Sequence, residues 1–134
     1  MIGSRDYREP IVWPEDELAD NTTPEKTGVD TPSAERKATP IFSGVMAYFP
    51  DALSGVARLS KAGNDKHNPG EDLHWARGKS MDHADCIARH LMEWDEIDQE
   101  DGIAHVYKVA WRALALAQEY AERFEGAPQS RGSR

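Results

Sequence analysis

The sequence predicts an all-α fold, a small helical bundle. Three segments carry apolar residues at helical spacing, and no segment alternates as a half-buried strand would. Glycine and proline gather in the connections between those segments. With 134 residues the chain has room for one domain and one core rather than two.

Residues 1–40 read as a disordered, proline-rich acidic arm. They hold five of the eight prolines and nine acids against five bases. Their apolar residues follow no period, so ordering entropy is not offset by burial. The patch Ile11-Val12-Trp13 is suited to docking on the body or on a partner. The body, residues 41–126, is the expected catalytic domain, and residues 127–134 read as a frayed, disordered tail.

The first helix is expected from Phe49-Pro50-Asp51, where proline fits an early helical position, to a stop at Gly63. Phe49, Leu53, Val56 and Leu59 form its stripe, and a short helix around Val45 and Met46 precedes it. The second starts at Ser80 as N-cap, with Asp82 in the first turn where the helix dipole favours an anion. Ala84, Ile87, Leu91 and Trp94 should face the core, leaving Asp82, Asp85, Arg89 and Glu93 on another face. The third is expected from about Gly102, with Asp101 as N-cap, to Glu125, with Gly126 as its stop. Its stripe is Ile103, Val106, Ala110, Leu114, Ala117, Ala121 and Phe124. Three helices leave a bundle incomplete, and alanine-rich helices approach one another closely, so a homo-oligomer is expected.

Composition excludes several classes. Hydrophobic residues are 39% and charged residues 30%, and no apolar run of about 18 residues exists to span a membrane. The N-terminus lacks the apolar stretch of a signal peptide, and the lone Cys86 suits a reducing compartment, so a cytoplasmic protein with no membrane partner is expected. Cys86 itself reads as a small buried residue. The net charge of −8 argues against a nucleic-acid partner and favours cations.

The chemistry-bearing residues concentrate between positions 64 and 105. All five histidines fall there, with the acidic run Asp95 to Asp101. Asp82 and Asp85, three apart on a helix, project side by side as a hard divalent cation requires. The run before Gly102 fails the calcium-loop pattern, since its first ligand would be Ile97. Lys66, Arg77, Lys79 and Arg89 are the bases nearest these acids, placed as a phosphate clamp would need. The loop of residues 63–79 also carries Trp75 and His74, either able to stack on a base. Phosphate-binding glycine loops, H-E-x-x-H, G-x-S-x-G and C-x-x-C are absent.

The stretches YFPDALSGVARLSKAGNDKHNPGEDLHWARGKS, HADCIARHL and GIAHVYKVAWRALALAQE resemble the phage family dATP/dGTP diphosphohydrolase, N-terminal (the MazZ-type proteins), over about Arg36 to Ala121. The family is regarded as distantly similar to MazG-like all-α nucleotide pyrophosphohydrolases. The resemblance implies cleavage of dGTP, or dATP, to monophosphate and pyrophosphate with Mg²⁺ or Mn²⁺. In phages with 2-aminoadenine DNA the dGMP formed feeds synthesis of the modified nucleotide.

MazG-like enzymes hold the metal with Glu-x-x-Glu on one helix and Glu-x-x-Asp on the next. Here Asp82-His83-Ala84-Asp85 stands in for the first pair, and His105-Val106-Tyr107-Lys108 occupies the place of the second without a carboxylate. Asp101 or Asp98 would compensate. The expected ligands are therefore Asp82, Asp85, Asp101 and His105, with His90 or Glu93 orienting the water. Arg77, Lys79 and Arg89, with Lys66, would neutralise phosphate charge. Asn64, Asp65 and Trp75 are candidates for base and sugar recognition. Two other readings stand beside this one. An HD-like triphosphohydrolase draws on the histidine-rich cluster but lacks an adjacent His-Asp pair. A non-catalytic nucleotide-binding oligomer draws on the missing carboxylates.

Overall fold

Each of the three periodic segments is helical in the computed structural model, which describes residues 33–134. The arm reading for residues 1–32, with its Ile11-Val12-Trp13 patch, lies outside the described residues. Helix α1 is a single turn, Ser33–Lys37, with no buried residue, and a π-helical turn follows at Phe42–Met46. The main body is α2 (Pro50–His67), α3 (His83–Leu91) and α4 (His105–Phe124). Helix α4 is central, and α2 and α3 both pack on it. Among the described residues no strand forms; there are two isolated bridges, Trp75 with Ser133 and Ile97 with Ala104.

Helix α2 starts as its sequence dictates, with Pro50 at its first position. It runs through Gly63 to His67, because the turn beyond that glycine is tied down: Lys61 pairs with Asp65 at 2.6 Å, and buried Asn64 accepts from Asn68 Nδ2 at 3.1 Å. Helix α3 starts three residues later than Ser80, with Asp82 as N-cap. Ser80 is drawn away from that role, donating to Asp82 Oδ1 and accepting from Arg112. Helix α4 starts at His105 with Ala104 as N-cap, not at Gly102 with Asp101. The preceding residues form a tight hairpin instead. Asp98 N–H donates to Ile103 O, His105 N–H donates to Glu96 O, and Gly102 supplies a φ of +73° at the turn. Gly126, also at φ +73°, closes α4 as expected.

Helix α2 half-buries the expected Leu53, Val56 and Leu59, while α3 and α4 turn in part away from their apolar stripes. On α3 the inward face is His83, Cys86, Ile87 and His90, while Ala84, Leu91 and Trp94 are exposed. On α4 the buried residues are His105 and Ala115, while Val106, Leu114 and Phe124 are exposed. Among the described residues Cys86 and Ala115 alone form the buried apolar core. The segment 127–134, read as frayed, is hydrogen-bonded: Trp75 N–H donates to Gly132 O and Arg134 N–H to Trp75 O.

Helix α2 approaches α4 most closely at Gly55, which faces the Tyr107 ring. A Cβ built there would lie 2.2 Å from Tyr107 Cε1. Replacing Gly55 by Ala is expected to destabilise the domain by about 1–3 kcal/mol despite alanine's better helix propensity. Urea unfolding measures this, and adding Tyr107→Ala should recover part of the loss.

Candidate metal centre and its cleft

Helices α3 and α4 bring two histidines together because each stands on the inward face of its helix, at either end of the hairpin. His90 Nδ1 and His105 Nδ1 are 2.8 Å apart. Asp98, from the hairpin, places Oδ2 3.9 Å from His105 Nδ1. One ligand atom from each of His90, Asp98 and His105 lies within 4.8 Å of the others, the spacing a single metal ion spans. His105 is buried, and its other ring nitrogen lies 3.6 Å from Glu93 Oε2. A carboxylate behind a ligating imidazole is the usual support of such a ligand.

Lys108, one turn along α4 from His105, ties the hairpin to the helix. Its ammonium donates to Asp98 Oδ2 at 2.6 Å and lies 2.7 Å from Asp101 Oδ2. The hydrogen bond from Lys108 and the backbone N–H of Glu100 hold the Asp98 carboxyl down at about 2. Burial pushes Asp101 up, but its bonds from Lys108 and Ile103 N–H outweigh that and leave it below the ordinary value. Burial pushes Lys108 down, and the two carboxylates more than reverse it. His90 is held below the ordinary imidazole value, first by burial and then by the charges of Lys108 and His105. The group thus offers an imidazole at His90 that burial and neighbouring charge favour in its neutral form, the His105 ring in contact with it, and an ionised carboxylate at Asp98.

His90 and Asp98 of this group stand on the wall of a cleft of about 840 Å³, within the range of small-ligand sites. His90, Asp98, Asp101 and Lys108 line one part. Trp75, His83, Trp111 and Arg112 line another, with Asn64, Asn68 and Lys79 from the end of α2 and the loop after it. The aromatic rings pack edge to face, Trp75 on Trp111 at 5.8 Å and on His83 at 6.2 Å. His83 is buried; Arg112 Nη1 donates to its Nδ1 at 3.1 Å, which leaves the proton on Nε2. That Nε2 lies 3.4 Å from Glu119 Oε1 without hydrogen-bond alignment.

The residues singled out from sequence divide into two sets. His90, His105, Asp101, Lys66, Lys79, Asn64 and Trp75 lie at the cleft or at the histidine pair. Asp82 and Asp85, expected as metal ligands, are both exposed and outside it. Asp82 is held by Ser80, by Cys86 and by Arg89 at 3.4 Å, which keeps its carboxyl at about 2. It occupies the N-cap position of α3 without a side-chain capping bond. Arg89 is spent on Asp82 and on Cys86 Sγ, at 2.9 Å, rather than on a phosphate. Arg77 is likewise committed: it stacks on Trp75, pairs with Glu122 at 2.6 Å and donates to Ser133 and Ser130, so it fastens the C-terminal segment to the loop. Asp65 pairs with Lys61 at the surface, and Lys66 pairs with Glu100. Asn64 orders the loop, donating to Glu71 O and accepting from His74 N–H. Sequence reasoning placed Asp98 only as a substitute for a missing carboxylate and passed over Lys108, Trp111, Arg112 and His83. Part of the signal was available: His83 and His90, and His105, Lys108 and Arg112, recur at helical spacing on one face of each helix.

An all-helical domain with a two-histidine, one-carboxylate group beside a cleft defines the class. The chain belongs to the family described as dATP/dGTP diphosphohydrolase, N-terminal, whose model matches residues 31–128. Neither the curated proteins nor the solved structures contain a match to it. No helix among the described residues is long and apolar enough to cross a membrane.

The Asp98–Lys108 pair makes stability depend on acid. The Asp98 carboxyl lies at about 2 in the folded chain against 3.8 for a free side chain. Its contribution is complete above about pH 4 and disappears as pH falls through about 2. Metal-free denaturation between pH 2 and 6 is expected to show this loss, and Asp98→Asn to flatten that part of the profile.

Proposed function

We propose that the domain hydrolyses a deoxypurine nucleoside triphosphate, dGTP or dATP, to the monophosphate and pyrophosphate, in phage nucleotide metabolism. The family supplies the substrate class. The observation that carries the reaction is the His90–Asp98–His105 group, whose His90 and Asp98 line a nucleotide-sized cleft. The donor set fits a divalent ion, and with two imidazoles it suits Mn²⁺ better than Mg²⁺. Residues 41–126 carry these groups, and the segment after them buttresses the cleft.

A bound ion would neutralise phosphate charge and acidify a water at the α-phosphorus. The chain's own groups do the rest. His90 stays neutral and so keeps a lone pair free, and Asp98 stays ionised. Lys108 fixes Asp98 and Asp101 on the hairpin, and Glu93 orients His105 from behind. Trp75 and Trp111 offer aromatic surface for the base at the far part of the cleft.

With the protein and Mn²⁺, chromatography should show dGTP or dATP converted to monophosphate and pyrophosphate. Asp98→Asn and His105→Ala are each expected to lower turnover about 100-fold or more with helix content retained, and Asp85→Ala to change it less than about twofold. Loss of turnover in Asp85→Ala alone would return the site to the exposed acid pair. The two imidazoles also favour a second reading, HD-like release of intact triphosphate, and nucleoside plus triphosphate among the products would select it. Tight nucleotide binding without turnover in any metal would select a non-catalytic role.

The domain acts as a homo-oligomer in this reading. Leu91, Trp94, Leu114, Tyr120 and Phe124 are all at least half exposed, while among the described residues the buried apolar ones are Cys86 and Ala115, a balance that a second copy would redress. Leu114→Glu, in the middle of the α4 stripe, should shift the sedimenting species toward the 15.0 kDa monomer.

A further inference from the structure

Most cations near the cleft are already matched to carboxylates. Lys108 is bound by Asp98 and Asp101, Lys66 by Glu100 and Arg77 by Glu122. Two cleft-lining cations differ. Arg112 has no carboxylate partner among the described residues; its Nη1 donates to the neutral acceptors Ser80 Oγ, at 2.6 Å, and His83 Nδ1, at 3.1 Å. Its Nε and Nη2 donate to no protein group there. Lys79 likewise donates only to neutral oxygens, His67 O and Asn68 Oδ1.

These contacts aim the two charges without neutralising them. Arg112 stands on α4 one turn beyond Lys108 and two turns beyond His105, on the same face as both. Its charge is near enough to help lower His90. A guanidinium fixed through one nitrogen, with its other N–H groups open, is the shape that grips phosphate oxygens in pairs. His83, buried and held in one tautomer, is the brace that fixes it.

We propose that Arg112, with Lys79, forms the polyphosphate grip of the cleft, the subsite that takes the β- and γ-phosphates of the substrate. The proposal rests on the nucleotide reading of the cleft but concerns binding, so it is tested with a ligand that has neither base nor scissile nucleoside. Tripolyphosphate is titrated calorimetrically into the full chain in EDTA, which isolates the cations from any metal. Arg112→Gln should weaken binding about tenfold or more at unchanged helix content, with partial recovery in Arg112→Lys. Arg58→Gln, which removes a cation lying over the Tyr107 ring outside the cleft, should leave it within about twofold.

Unchanged binding in folded Arg112→Gln overturns the grip, and so does an equal loss in Arg58→Gln. Where Arg112→Gln fails to fold, Lys79→Met decides: a tenfold loss upholds the grip and parental affinity overturns it. A parental protein that binds tripolyphosphate through Arg112 but turns over no deoxynucleotide upholds the grip and removes the hydrolase reading, so the two failures are distinct.

Discussion

The domain is organised around an interior that is polar and hydrogen-bonded rather than oily. His83, His105, Asn64 and Asn68 are buried, whereas the buried apolar residues are Cys86 and Ala115. Buried polar groups are costly unless paired, and these are mostly paired across elements. His105 meets His90 from α3, Asn64 meets the loop at Glu71 and His74, and Arg112 joins α4 to Ser80 and His83. Such bonds fix geometry more than they add net stability. A small fold that spends its interior this way has little apolar burial left, and much of the apolar stripe on α4, Val106, Leu114 and Phe124, stays outside.

The same constraint explains the long loop and the C-terminal segment. A loop of this length pays a large ordering cost unless it is tied at several points. Trp75 is tied by the backbone to Gly132 and Arg134, by its ring to Trp111 and His83, and on its other side by Arg77. Arg77 in turn reaches Glu122 near the end of α4. The wall of the cleft that carries Trp75 is therefore held from both the helix and the segment beyond it, although that segment lies past the end of the family match at residue 128.

The three main helices, the Pro50 start and the Gly126 stop were legible because they depend on backbone chemistry within a few residues, whereas the α1 turn at Ser33–Lys37 was not. Which face each helix turns inward was not. Apolar periodicity names Ala84, Ile87, Leu91 and Trp94, yet of these only Ile87 lies on the face that packs, the one through His83 and His90. A stripe of that kind marks burial without saying whether the burial is within the chain or against a second copy. The site followed the same pattern. The pair Asp82 and Asp85 had the spacing of metal ligands, but both are exposed, and Asp82 is engaged by Ser80, held in place by a long-range bond from Arg112 that spacing cannot reveal. His90, Asp98 and His105 converge only because the hairpin of residues 97–104 folds Asp98 back between the two helices.

Charge in the cleft also determines the order in which ligands reinforce one another. Asp98 and Asp101 are both bound by Lys108, so a divalent ion entering alone meets an ammonium 2.6 Å from its carboxylate ligand. Polyphosphate entering alone meets the two carboxylates. Each ligand removes the repulsion that the other faces, and linkage makes that benefit mutual. Under the proposed function the competent species is thus the metal–nucleotide complex rather than either component. The histidines add to this: because His90 is kept neutral by burial and by Lys108, no proton has to be expelled from it for the ion to bind, and the carboxylate charge stays available to the metal and its phosphate.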